Sequence, residues 1–178
     1  NNGATFMAEW QEERGDSLAF VAQLIDANGT VRGSNFDINR KVSLNSYLQK
    51  PSLATLANGT FACVWNNNSS RDINHIYMQR YDSTGTRQNG RVCISQDNYL
   101  ARNCQPQIAV NNSGQVLITW VDDRAPSTST ADCSGQWYTL AGAAIGDNFI
   151  IRPLISYFPD FLAGAYSNVY SFLMSDDD

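Results

Sequence analysis

Trp10, Trp65 and Trp120 stand 55 residues apart, and each closes a short apolar run: TFMAEW, TFACVW and QVLITW. Pro51 and Pro106 keep the same interval. Self-similarity at one fixed period is the mark of a repeat architecture, in which a single supersecondary unit recurs and buries its apolar face against its neighbours. The runs themselves alternate. In TFMAEW, Phe6, Ala8 and Trp10 fall on one face of an extended strand, and Met7 and Glu9 on the other. That period of two predicts strands.

The second copy is the fullest. It reads PSLATL (strand A), the turn ANG, TFACVW (B), the loop NNNSSRD, HIYMQRYD (C), the turn STG and GRVCIS (D). Proline is tolerated at a strand's first position, and Asn-Gly supplies the positive φ of a tight turn. The first copy has B, C (SLAFVAQLID) and D (SNFDIN), with the turn DANG at 26–29, but no strand A in front. Five pairs match between these copies at an interval of 56: Asp16 and Asp72, Gln23 and Gln79, Asp26 and Asp82, Gly29 and Gly85, Ile38 and Ile94. The third copy opens with PQIAVNNSG and QVLITW. It then lengthens its B–C loop to VDDRAPSTSTADCSG, has WYTLAGAAIG as strand C, and ends on RPLIS at 152–156, which matches RVCIS at 91–95. No run free of Gly and Pro holds a helical period, so the fold class expected is all-β.

The missing strand A has a candidate in the tail. Eleven residues separate Ser95 from Pro106, and the same count from Ser156 reaches Ser167, the start of SNVYSFLMS. The expectation is one domain of three four-stranded antiparallel units, at 1–49 plus 164–178, 50–104 and 105–163. The C-terminal strand completes the first unit, in its own chain or in a neighbour.

The pattern carried by Pro51, Ala54, Gly59, Phe61, Trp65, Ile76, Tyr77, Gln79, Asp82 and Gly85 resembles the tandem repeats of about this length in large secreted and cell-surface proteins of bacteria and protists. The resemblance covers residues 1–125. It implies β-propeller-like blades, one four-stranded sheet per repeat, together with extracellular display and a role in adhesion or structure, and it supplies no catalytic set. A β-trefoil, which also has three four-stranded units, is the alternative architecture. Two chains forming six blades, or successive chains stacking into a fibre, are the alternatives for closure.

Composition narrows the partners. The net charge of −5 and the lack of a basic cluster speak against nucleic acid and anionic membrane. No stretch approaches the roughly 20 apolar residues of a membrane helix, so no membrane insertion is expected. The N-terminus has neither an initiating Met nor a leader pattern, and the chain is expected to be a mature or excised product. Glycosylation sequons begin at Asn28, Asn58, Asn67, Asn68 and Asn111, in segments expected to be turns. Cys104 and Cys133 are the expected disulfide. Cys63 and Cys93 lie on strands B and D of one unit, roughly 9–10 Å apart across strand C, and are expected to be free thiols.

The repeated Trp residues are expected in the core, although sugar-stacking platforms use the same side chain. Asp122, Asp123 and Asp132 lack calcium-loop spacing, and Asp176, Asp177 and Asp178 read as a solvated acidic end. His75, the sole histidine, lies within a strand. Glu9, Glu12, Glu13, Asp72 and Asp122 offer carboxylates without the motif that a glycosidase pair needs. Hence no catalytic, cofactor or metal site is expected. The tail is poor in charge and dense in aromatics, and Tyr166, Val169, Tyr170, Phe172 and Met174 are the expected interface for strand donation. The leading functional expectation is a secreted or surface glycoprotein, not an enzyme, that self-assembles through its C-terminal strand. The alternative is a carbohydrate-binding module using loops at 66–72 and 121–136, and the weakest is a glycan-active enzyme.

Overall fold

The computed structural model describes residues 5–15, 17–43, 51–56, 59–70, 73–95, 104–111, 113–122, 130–156, 161–166 and 169–174. Every regular element among them is a strand. The first sheet holds β1 (Thr5–Arg14), β2 (Ser17–Asp26) and β3 (Val31–Ser43). The second holds β4 (Ser52–Thr55), β5 (Phe61–Ser70), β6 (Ile73–Tyr81) and β7 (Arg87–Cys93). The third holds β8 (Cys104–Val110), β9 (Gln115–Asp122), β10 (Thr130–Thr139) and β11 (Ala144–Ser156), and β12 (Phe161–Tyr166) with β13 (Val169–Met174) makes a separate hairpin. Each sheet is an antiparallel meander, its strands side by side in chain order. The all-β expectation holds. Among the described residues no strand bridges two sheets into a barrel, so the trefoil, which requires one, does not fit.

One turn recurs five times, and it sets the register of the strands it joins. In each, a glycine N–H donates to the carbonyl three residues back: Gly29 to Asp26, Gly59 to Leu56, Gly85 to Asp82, Gly114 to Asn111 and Gly142 to Thr139. The five glycines have φ from 75° to 85°, the left-handed region that other residues enter only with strain. A second device recurs on strand C. Gln23 Nε2 donates to the carbonyls of Leu24 and Arg32, Gln79 Nε2 to those of Arg80 and Gln88, and Gln136 Nε2 to those of Trp137, Ile145 and Gly146. Each Gln faces a register shift between strands C and D, where the ladder alone would leave carbonyls unpaired.

The sheets stack in chain order with the second in the middle. Phe61, Cys63, Trp65 and Tyr81 pack with Phe20, Ala22, Leu24 and Ile38 of the first sheet. The alternate residues, Ala62, Val64, Ile76 and Met78, pack with Ile108, Val116, Ile118, Trp120 and Tyr138 of the third. This is why β5 opens as an unbroken buried run, where a one-sided strand would alternate.

The first sheet departs from expectation in two ways. Its Trp face points out: Trp65 and Trp120 are 2% and 0% exposed, but Trp10 is 39% exposed and Phe6 57%. Among the described residues no other sheet covers that face, and Met7 and Glu9 turn toward the second sheet. Among the described residues it also has three strands where four are expected. The C-terminal strand β13 pairs with β12 (Ala165 opposite Tyr170, Tyr166 opposite Val169) and not with β1, so β13 does not complete the first unit. Closing a short connection between neighbouring segments costs less chain entropy than a return to β1.

Candidate functional site

Where the first and second sheets face each other, they leave a recess of about 370 Å³ lined by Asp37, Ile38 and Asn39 of β3, Trp65 of β5, Gln79 of β6, and Arg87 and Arg91 of β7. The floor is rigid. Trp65 and Tyr77, opposite one another in the β5–β6 register, stack with ring centroids 6.2 Å apart, and the Arg91 guanidinium carbon lies 4.5 Å from the Tyr77 ring centroid. Arg87 ties the sheets together, donating to the carbonyls of Asp37 (2.8 Å) and Ile38 (3.1 Å). Asp37 is held from the opposite side by Arg14 at 2.9 Å, and Arg14 also binds Glu12. Gln79 is clamped as described above.

Two of the side chains that line it carry a donor with no protein partner. Both the indole Nε1 of Trp65 and the amide Nδ2 of Asn39 are buried and unpaired. Leaving a buried donor unsatisfied costs on the order of 1–3 kcal/mol. Both atoms are closed off from solvent, and Trp120 Nε1, between the second and third sheets, is unpaired in the same way.

Behind the recess, Glu9 enters the same inter-sheet core. Its Oε2 accepts a hydrogen bond from Cys63 Sγ at 3.4 Å. Burial pushes the Glu9 carboxyl up to about 7, and burial, reinforced by Glu9, raises the Cys63 thiol well above its ordinary range. Glu9 does not line the recess, where Asp37 is the one carboxylate among the described residues.

The residues singled out in the sequence are scattered. Asn28 is exposed at a turn tip, its Oδ1 accepting from Thr30 N. Asn111 is 5% exposed, and its Nδ2 donates to Gln115 Oε1 at 3.1 Å, so the nitrogen a glycan would need is buried and engaged. Asn67 and Asn68 lie in β5, opposite His75 and Asn74, and not in a turn. The expected loop at 66–72 is therefore mostly strand, and Cys133 and its neighbours at 130–136 likewise belong to β10. Asn58, Asp16, Asp72, Asp123, Asp176, Asp177 and Asp178 lie outside the described residues, as do the side chains of Tyr166, Val169, Tyr170, Phe172 and Met174.

The expected disulfide is corrected by the register. Cys104 on β8 and Cys133 on β10 both sit opposite Val121, one on each side of β9. Two strand spacings separate them by roughly 9–10 Å, beyond the Cα range of a bridge. His75 Nδ1 lies 3.3 Å from Ser95 Oγ, but that hydroxyl is buried and also accepts from Ile76 N, which makes the pair a tie between strands C and D. Asp122 is buried and accepts from Ser134 Oγ at 3.3 Å. No group of three or more metal-ligating side chains occurs among the described residues.

The sequence pointed to none of the recess residues as a set. Trp65 and Gln79 were legible as repeat positions, but Asn39 comes from the preceding unit, and only stacking brings the two sheets together. No family model matches the chain, and no curated protein sequence matches it. Among solved structures it is similar to the endo-arabinase from Bacteroides thetaiotaomicron VPI-5482, with a TM-score of 0.55 and 10% identity over 98% of this chain and 72% of that one. At that identity the likeness is one of fold, and it places the chain among all-β structures.

Proposed function

We propose that the chain is a carbohydrate-binding repeat module of the cell exterior that holds a sugar in the recess between its first and second sheets. The observation that carries this reading is the recess itself, where Trp65 is joined by the polar side chains of Asp37, Asn39, Gln79, Arg87 and Arg91. Its volume lies in the range of small-ligand sites, and an aromatic wall with a few convergent polar groups suits a sugar ring. The fold likeness to an endo-arabinase favours a carbohydrate over other small ligands. Binding is favoured over hydrolysis. Glycosidases position two carboxyl groups about the bond they cleave, whereas among the described residues this recess presents Asp37 alone, paired with Arg14.

The test is calorimetry and a glycan array on the whole chain and on Arg91→Ala, which removes an exposed polar group from the recess and leaves the core intact. A loss of about tenfold in affinity, the value of one well-made hydrogen bond, is expected. Unchanged binding by the variant would overturn the reading.

Self-assembly through the C-terminal strand is a second reading, and a specific feature favours it. Units two and three each have a strand A, β4 and β8, that pairs with β5 and β9, whereas among the described residues no strand pairs with the outer edge of β1. A strand from a second chain would add there through backbone hydrogen bonds. Deleting 164–178 should then abolish oligomers in sedimentation velocity. A chain that sediments as a monomer before the deletion sinks this reading.

A further inference from the structure

We infer that the sugar taken by the recess is acidic, a hexuronate whose carboxylate is received by Arg91. This rests on the carbohydrate reading above and sharpens it to a ligand class. Three facts lead here. First, the two arginines that line the recess can only donate, because a guanidinium carries five N–H groups and no acceptor. A neutral sugar hydroxyl both donates and accepts, whereas a carboxylate only accepts and matches such a lining. Second, the charge is lopsided. Arg87 and Arg91 line the recess against Asp37, and Asp37 is balanced by Arg14, on a chain whose net charge is −5. A local excess of cation on an acidic protein is a selective feature.

Third, the two arginines are not equivalent. Arg87 spends Nη2 on the Asp37 and Ile38 carbonyls. Arg91 is exposed, and no carboxylate pairs with it among the described residues. Its guanidinium is instead set over the Tyr77 ring. A guanidinium fixed on an aromatic face is already oriented, and its planar fork matches a carboxylate with two parallel hydrogen bonds.

The experiment uses the full chain and three probes: a hexuronate disaccharide, its methyl ester, and inorganic phosphate, with affinities measured by calorimetry at low and high salt. The acid is expected to bind at least tenfold more tightly than the ester, with the difference shrinking in salt. In Arg91→Gln the two sugars are expected to bind alike. If the wild-type chain binds acid and ester equally, the acidic class is overturned while the carbohydrate reading stands. If phosphate binds as well as the acid, the recess is a general anion site and both fall. Both fall too if no probe binds. Circular dichroism of Arg91→Gln should match wild type, because its side chain is exposed.

Discussion

The side-chain nitrogen of Gln136 lies 3.2 Å from the carbonyl oxygen of Ile145, bridging β10 to β11 where their register slips. The same nitrogen reaches Trp137 and Gly146, and the residue is fully buried. Gln136→Glu keeps the shape and turns the donor into an acceptor facing three carbonyl oxygens. It is expected to cost about 3 kcal/mol or more in urea unfolding. Gln23→Glu makes the same change in the first sheet, but the bond from Gln23 to the Arg32 carbonyl is exposed, and water can replace it. That variant should lose less than about 1 kcal/mol.

Glu9 makes stability depend on pH in an unusual direction for a carboxylate. The folded chain holds its proton up to about pH 7, whereas the ordinary value is 4.5. Between those values the folded state binds more protons than the unfolded one, so this group's contribution is full below about pH 4.5 and fades as pH rises to 7. The expected fall is roughly 3 kcal/mol, from the size of the displacement. Chemical denaturation from pH 4.5 to 8 should show it, superimposed on the titration of other groups, and Glu9→Gln should flatten that part of the profile. A variant with the same pH slope as wild type would show that Glu9 ionises freely.

The three tryptophans, alike in sequence position, are expected to differ in energetic weight. Trp120→Ala removes a fully buried ring between the second and third sheets and should cost about 3–5 kcal/mol. Trp10→Ala, at 39% exposure on an uncovered face, should cost about 1 kcal/mol in the monomer. Guanidinium unfolding of the two variants reads the difference directly, and equal losses would mean that the face of Trp10 is covered in solution.

That contrast shows what the sequence could carry. Strand order, the glycine turns and the kinship of Gln23 with Gln79 were legible because each is local to a unit and recurs at 55 or 56 residues. Gln136 escaped notice because it falls 57 after Gln79, beyond a lengthened B–C segment, with the C–D turn inside WYTLAGAAIG. The outward turn of Trp10 was not legible, since alternation gives two faces and only position in the stack says which one is covered. Cys104 and Cys133 failed for a related reason. The expectation put Cys133 in a loop free to fold back, whereas β10 begins at Thr130 and locks it on the far side of β9. The recess was least legible of all, because Asn39 and Trp65 meet only when two units stack, and nothing in either unit's own pattern marks their unpaired nitrogens.

The repeated turn gives a last test, because the same backbone sits in different surroundings. Gly29 and Gly114 have φ of 85° and 78°, so alanine at either pays the left-handed penalty of about 1–2 kcal/mol. At Gly29 a new Cβ meets nothing within 4 Å, and the loss should stop there. At Gly114 the Cβ would stand 2.6 Å from Leu140 Cδ1, so the Leu140 side chain must move. Gly114→Ala is therefore expected to cost about 1–3 kcal/mol more than Gly29→Ala. A double-mutant cycle with Leu140→Ala separates the two causes, since shortening Leu140 relieves the contact but leaves φ unchanged. A coupling of about 1 kcal/mol or more is expected. If the cycle shows none, Leu140 swings aside at no cost, and the two turns differ in backbone strain alone.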